Sequence, residues 1–225
     1  MKKRLISILL LCCMVLTLLP TTVLAADGPM DTIPKYDVSI DVYNRTSDIS
    51  IKDSRSYYIY SSVPDKLRDT WAWDKKIFIK GDKTAPHVFI DGVNIKMSPS
   101  SKGPAIELNK KASAYLYFIG KDSTLQGADG RAAIQKNRSE GQLYVLARTG
   151  TTVTCKGGYR AAGIGGSWAI RNIGDSMFNM DMYGHGVNMH FGSQSNPDYW
   201  GGTINATGGE YGAGIGAGSW GHSGH

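Results

Sequence analysis

Side chains able to carry out acid–base chemistry are spread thinly along this chain of 225 residues. Glycoside hydrolysis needs two carboxylates placed across the bond that breaks. The candidate aspartates occur singly, and no two acidic residues are adjacent; they are Asp91, Asp122, Asp129, Asp175 and Asp181. Single aspartates are typical of turns, where the side chain binds nearby backbone. We therefore predict no catalytic residue.

Metal ligands are equally sparse. His185 and His190 are five positions apart, which would place them on opposite faces of an unbroken strand. A zinc site would need further Cys, His or carboxylate ligands at suitable spacing, and the sequence does not supply them near this pair. The sequence predicts no metal site and no cofactor.

The glycine-rich stretch GGEYGAGIGAGSWG at residues 208–221 loosely matches a dinucleotide-binding turn. Such a turn opens a helix and is followed about 20 positions later by an acidic residue. No helix-forming sequence follows here, and the related stretch GGYRAAGIGGSW at 157–168 carries Trp168 at the third small position. We interpret both stretches as a structural repeat and predict no bound nucleotide.

Tryptophan gives the clearest indication of ligand binding. All five tryptophans fall in segments rich in Gly or Asp, outside the apolar strands, and an indole ring can stack on a sugar. Trp168 and Trp220 follow the two glycine motifs at nearly equal offsets, four and five residues after Ile164 and Ile215. We predict carbohydrate contact at Trp168, Trp220 and Trp200. The alternative, that these rings seal corners of the fold, stays open.

The N-terminus has the three parts of a secretory signal peptide. A basic start, MKKR, precedes an apolar run at residues 5–19, and small residues follow up to Ala25. We predict cleavage after Ala25 or Ala26. The apolar run is shorter than the ~20 residues of a membrane-spanning helix, so no transmembrane segment is predicted in the mature chain. The protein is expected to be secreted or to lie at the cell surface.

Cleavage removes three of the positive charges that give the chain its formal net charge of +6. No long run of basic residues is left to follow a phosphate backbone, so nucleic acid is not a predicted partner. Two of the three cysteines are removed as well, and Cys155 alone cannot form an intramolecular disulfide. Stability must therefore come from packing.

The rest of the chain has the periodicity of strands. Apolar alternations of three to five residues recur, rich in β-branched and aromatic types and separated by Gly, Pro, Asn, Asp and Ser. Only residues 63–73 weakly suggest a helix. The predicted class is all-β.

Isoleucine marks a repeat within these strands. Equivalent positions, at intervals of 28, 30 and then 51 residues, are occupied by Ile106, Ile134, Ile164 and Ile215. Each unit holds about three short strands, and the long interval indicates an insertion at about residues 168–200. Units of this length predict a parallel β-helix in which the four isoleucines form one inward-facing column.

The glycines fit the corners of such a coil. Gly157-Gly158 and Gly208-Gly209 are expected there, because corners need positive φ or close approach between coils. A sandwich of antiparallel hairpins is the alternative, since Asp91-Gly92 and Asp129-Gly130 also fit hairpin turns.

Two stretches carry a resemblance to a known group. LARTGTTVTCKGGYRAAGIGGS at 146–167 and GGTINATGGEYGAGIGAGS at 201–219 resemble the Gly-rich repeats of secreted and cell-surface proteins of Gram-positive bacteria. The residues upstream look like the carbohydrate-binding β-helix domains found with such repeats. The resemblance implies a right-handed parallel β-helix, export, and binding of polysaccharide, including acidic polysaccharide, with calcium in some members. It carries over no site residue.

We accordingly expect a signal peptide at 1–25, an N-terminal segment at 26–48 and a β-helix at 49–225 that is incomplete at its C-terminal end. The predicted function is that of an exported, non-catalytic protein that binds polysaccharide, such as a host or cell-wall glycan, or acts as an adhesin module. Two alternatives stay open: a polysaccharide lyase or hydrolase of the β-helix type, and a structural stalk without a ligand.

Overall fold

A computed structural model describes residues 34–98, 103–109, 111–136, 140–168, 186–192 and 199–219. Within these residues the chain forms sixteen short strands and a 3₁₀ turn at Asp65–Leu67. The strands are β1 (Val38–Asp41), β2 (Ile49–Ile51), β3 (Ser56–Tyr60), β4 (Ile77–Lys80), β5 (His87–Asp91), β6 (Ile95–Lys96), β7 (Ile106–Asn109), β8 (Ala114–Ile119), β9 (Ser123–Gln126), β10 (Ile134–Lys136), β11 (Leu143–Ala147), β12 (Thr152–Lys156), β13 (Ile164–Gly165), β14 (Met189–Phe191), β15 (Thr203–Thr207) and β16 (Ile215–Gly216).

The strands form three parallel sheets. Sheet A contains β1, β3, β5, β8, β11 and β14; sheet B contains β2, β4, β7, β10, β13 and β16; sheet C contains β6, β9, β12 and β15. From β5 onward the chain passes through sheets A, C and B in turn, so four described coils contribute one strand to each sheet. The predicted parallel β-helix is confirmed. The antiparallel sandwich is wrong, because the strands pair in parallel, and Asp91-Gly92 lies at the corner between sheets A and C.

Sheet B contains the column of isoleucines that the repeat indicates. Pairs in register join successive members of the set Ile106, Ile134, Ile164 and Ile215. Ile77 and Ile49 extend the column by two further coils. Its members are buried apart from Ile215, which is 46 % exposed. Ile215 is less covered than an inward position implies, because β16 is the edge strand of sheet B in the described part of the chain.

The sheets begin earlier in the chain than the expected boundary at residue 49. β1 pairs in parallel with β3, Val38 beside Tyr57, and so belongs to sheet A. Within the segment expected as an insertion, β14 pairs with β11 as a further strand of the same sheet. The predicted cleavage site at Ala25 or Ala26 lies outside the described residues. Among those residues, no helix has the length and apolarity needed to cross a membrane.

The corner glycines permit close approach between coils. A Cβ on Gly158 would lie 1.9 Å from the carbonyl oxygen of Ala128, and one on Gly209 would lie 2.0 Å from that of Gly158. Either side chain would push neighbouring coils apart. Positive φ at this corner falls instead on the residue at the tip of the turn, which is Arg160 (φ 59°) in one coil and Tyr211 (φ 64°) in the next. Of the two roles expected for the glycine pairs, they permit close approach between coils and do not supply the positive φ.

Aspartates cap the corner between sheets A and C. The Oδ1 atom of Asp91 accepts a hydrogen bond from the backbone N–H of Lys121 at 2.9 Å, and Oδ1 of Asp122 accepts one from Thr152 at 2.7 Å. In both cases the donor belongs to the following coil. These bonds give the two carboxylates a structural role in joining coils, as the turn interpretation predicts. Asp175 and Asp181 lie outside the described residues.

The reactivity of the Cys155 thiol provides a test of how closely the described coils pack. Its side chain is fully buried on β12, and burial raises the pKa of the thiol to about 12. Because a thiolate is the reactive species, we expect no alkylation of Cys155 in the folded protein at pH 8 and complete alkylation in denaturant. Mass spectrometry of the peptide that contains Cys155 would measure this. Rapid labelling without denaturant would show that β12 opens in the native state.

Candidate functional site

The outer surface of sheet A carries most of the aromatic side chains found on strands. Along β8 the alternation is plain, since Leu116 and Phe118 are buried in the core while Tyr115 and Tyr117 lie half-buried on the opposite face. Parallel pairing in register repeats this pattern from coil to coil. We call the outward rings of sheet A the aromatic face; they are Tyr58, Tyr60, His87, Phe89, Tyr115, Tyr117, Tyr144 and His190.

One column of the aromatic face takes a ring from each of four successive coils, namely His87, Tyr115, Tyr144 and His190. Neighbouring ring centroids lie 4.7, 4.5 and 4.5 Å apart, and their planes are within 15° of parallel. The rings therefore stack face to face along the direction in which the coils follow one another. Their faces cover each other, so the column offers a ligand mainly ring edges, phenol hydroxyls and imidazole nitrogens.

The second column contains Tyr58, Phe89 and Tyr117. Tyr58 and Phe89 are buried, with Ile119, in a small apolar cluster outside the main core. Trp200, which precedes β15, packs on this cluster, and its ring lies 5.2 Å from that of Tyr117 at an angle of 42°. Because of this tilt, Tyr117 does not lie flat on the indole, and Tyr199 contacts the indole at 90° with ring centroids 4.6 Å apart. Trp200 is therefore the ring best placed to stack on a ligand.

Hydrogen bonds fix the polar groups of the aromatic face. The Tyr117 hydroxyl and Nδ1 of His87 share a hydrogen bond of 3.0 Å, and Nε2 of His190 lies 2.7 Å from Oε1 of Gln142. Burial, with a smaller effect of Tyr115, raises the pKa of Tyr117 to about 12. The pKa of Tyr58 is also raised, first by burial and then by the hydrogen bond it donates to Asp91. These hydroxyls stay protonated at neutral pH.

The other two sheets do not share this character. The described strands of sheet C carry no aromatic residue; their outward positions hold Lys96, Thr124, Thr154 and Thr203, among others. In sheet B, the described strands carry one aromatic residue, Phe78. Aromatic side chains are thus concentrated on one of the three surfaces.

Trp168 lies elsewhere. Its backbone N–H donates to the carbonyl of Gly130, and its ring makes an edge contact with Tyr159 at 6.1 Å. The guanidinium of Arg160 lies 4.9 Å from the centre of the indole. Trp168 therefore packs at the corner that follows sheet C, as the alternative interpretation of its ring expects, while Trp200 packs on sheet A. Nothing in this packing tests the prediction of carbohydrate contact by Trp168; because its ring packs at the corner and not on sheet A, we expect it to add nothing to binding on sheet A.

The remaining tryptophan and histidine positions discussed in the sequence analysis do not contribute to the aromatic face in the described residues. Trp220 and His185 lie outside the described residues. Trp73 is not a surface residue; it is 3 % exposed and its Nε1 donates to the carbonyl of Arg45. Within the described ranges, no three His, Cys, Asp or Glu side chains are grouped closely enough to hold a metal ion.

Sequence reasoning placed the strands of sheet A but missed what their outward residues form. The runs AYLYFI and LYVLA form strands at equivalent positions of two coils, and Tyr115 and Tyr144 are equivalent within them. Comparing the same outward position in every coil adds His87 and His190 to these two tyrosines. The sequence signal for the site is therefore one aromatic residue at the same position of each coil, and not a local motif.

Comparison with known proteins provides no further guide, since no family model, no curated protein and no solved structure matches this chain. The function must be inferred from the site itself.

Proposed function

We propose that this protein is an exported, non-catalytic protein of the cell surface or extracellular space that binds polysaccharide along the aromatic face of sheet A. The observation that carries the proposal is the concentration of aromatic side chains on one sheet. A stalk without a ligand has no need of such a surface, because solvent-exposed positions between coils need only be polar. Contiguous aromatic surface on a soluble protein is typical of a binding site.

The chemistry of the surface suits a sugar chain. A pyranose ring has an apolar C–H face and polar hydroxyl edges. The indole face of Trp200 can stack on the C–H face. Phenol hydroxyls and imidazole nitrogens of the first column can donate to and accept from sugar hydroxyls. Neighbouring coils are about 4.8 Å apart, so these groups recur at short, regular intervals. A regular array of this kind suits a polymer of repeated units better than a single small molecule.

The proposal is tested by sedimenting the purified chain with a panel of insoluble neutral and acidic polysaccharides, with and without calcium. We expect retention on at least one of them, with no release of soluble sugar. Failure to bind any member of the panel would contradict the binding function. Release of reducing ends or of unsaturated sugars would contradict its non-catalytic character and favour a lyase or hydrolase.

A further inference from the structure

The corner that follows sheet C holds an arginine in an unusual setting. Backbone hydrogen bonds align the tips of three successive turns there: Gly130 N–H donates to the Tyr159 carbonyl, and Arg160 N–H donates to that of Glu210. Gly130, Arg160 and Tyr211 occupy equivalent positions at these tips, and all have positive φ. Such a conformation strains any residue other than glycine, so arginine is not the residue that the turn itself favours.

Aromatic rings surround the guanidinium of Arg160. Its Cζ atom lies 4.9 Å from the ring centre of Trp168, 5.0 Å from that of Tyr159 and 5.7 Å from that of Tyr211. The ring of Trp168 lies next to Gly130 of the preceding coil and occupies the space that a side chain at that position would fill. Tyr211 belongs to the following coil, so the guanidinium lies between an indole and a phenol.

Within the described residues, this arrangement leaves part of the hydrogen-bonding capacity of the Arg160 side chain unused. Its Nε atom is buried and makes no hydrogen bond within the described residues, which is also true of Nε of Arg68. Arg68 and Arg55 nevertheless form ion pairs with carboxylates, at 3.6 and 2.9 Å, whereas no ion pair of Arg160 is found among the described residues. The nearest acidic positions along the corner, Asp129 and Glu210, are exposed and do not pair with it.

A guanidinium binds a ligand through its in-plane N–H groups. That edge matches the two oxygens of a carboxylate, sulfate or phosphate, and the surrounding rings lower the cost of desolvating the cation. We propose that the Arg160 corner is a binding site for an oxyanion, formed by Arg160 with Trp168, Tyr159 and Tyr211. It lies apart from the aromatic face and does not depend on polysaccharide binding there.

The test is an NMR titration of the ¹⁵N-labelled chain with sodium sulfate or sodium glucuronate. The signals followed are the side-chain Nε–H of Arg160 and the indole N–H of Trp168. Sodium chloride keeps the ionic strength constant. We expect both signals to shift and saturate with at least one of the two oxyanions. Replacing Arg160 by lysine keeps the charge but removes the planar edge. We expect the affinity for the oxyanion to fall by about tenfold or more, as measured from the indole N–H signal of Trp168. Removing the nearby charge with Glu210→Gln should tighten binding about twofold.

Arg55→Lys is the matched control, because Arg55 also lies over a ring, that of Tyr57, but is already paired with Asp53 at 2.9 Å. It should leave the titration unchanged. The proposal would be overturned if neither oxyanion gave saturable shifts, or if Arg160→Lys, with an otherwise native amide spectrum, titrated like the parent chain. Either result would leave the aromatic face untested and its proposed function intact.

Discussion

Replacing Trp200 by alanine is expected to weaken polysaccharide binding by about tenfold or more. Trp200 presents a tilted indole beside Tyr117, whereas the rings of the first column cover one another's faces. The substitution removes the surface on which a sugar ring would stack but leaves the strands of sheet A in place. Affinity electrophoresis in gels containing the polysaccharide retained in sedimentation would measure the change.

Trp168→Ala is the matched control for this result. It removes the same side chain from a corner where the indole packs on Arg160, away from sheet A. We expect it to retain polysaccharide binding within about twofold of the parent chain. If Trp168→Ala abolished binding and Trp200→Ala did not, the polysaccharide would bind at the corner, and the proposed role of the aromatic face would be wrong.

A second substitution separates stacking from hydrogen bonding. Tyr144→Phe keeps the ring between Tyr115 and His190 and removes only the hydroxyl. A threefold to tenfold loss of affinity, about the contribution of one hydrogen bond, is expected if the edge of the column contacts the sugar. An unchanged affinity would confine the contact to Trp200 and its neighbours.

The inward side of the fold could be predicted from sequence because stacking imposes a period on it. Ile106 and Ile134 must match in size and spacing, since each packs directly on the next coil. The same constraint makes two strands of sheet C alike in sequence, TVTCK in β12 and TINAT in β15. The first coil is shorter than the others and does not follow the period. Val38 pairs with Tyr57, and the chain passes from β1 in sheet A to β2 in sheet B with no strand of sheet C between them. The N-terminal strand was missed for this reason.

The outward side could be predicted only in part, because packing does not fix which residues stand there. Only its residue type predicts Trp200 as a ligand contact. Its contact with Tyr117 joins residues from separate coils, which the insertion expected at about residues 168–200 separates in sequence. Arg160 gave no signal in the sequence, since its environment depends on the alignment of Gly130 and Tyr211 in neighbouring coils. Sites on a solenoid are assembled between repeats, whereas sequence motifs are found within them.

Phe118→Ala is expected to lower the free energy of unfolding by about 3–5 kcal/mol. Phe118 is among the largest side chains that are completely buried, and it pairs in register with Ile90 in the preceding coil and Ala147 in the following one. The small side chain of Ala147 leaves room for the phenyl ring, so truncation creates a cavity that neighbours on rigid strands cannot fill. Urea-induced unfolding followed by circular dichroism would measure the loss.

Phe78→Ala supplies the control, with the same atoms removed from the outer face of sheet B. Phe78 is only half-buried, and its ring lies 4.9 Å from Nζ of Lys76 and 5.1 Å from that of Lys80. We expect a loss of about 1 kcal/mol or less, since less apolar surface is removed from contact than in the core and the cation–π contacts are only partly buried. Equal losses for the two variants would mean that Phe118 does not fill the core between sheets. A large difference would show that the stability of the solenoid rests on its inward columns, which leaves the outer face of sheet A free to vary with the ligand.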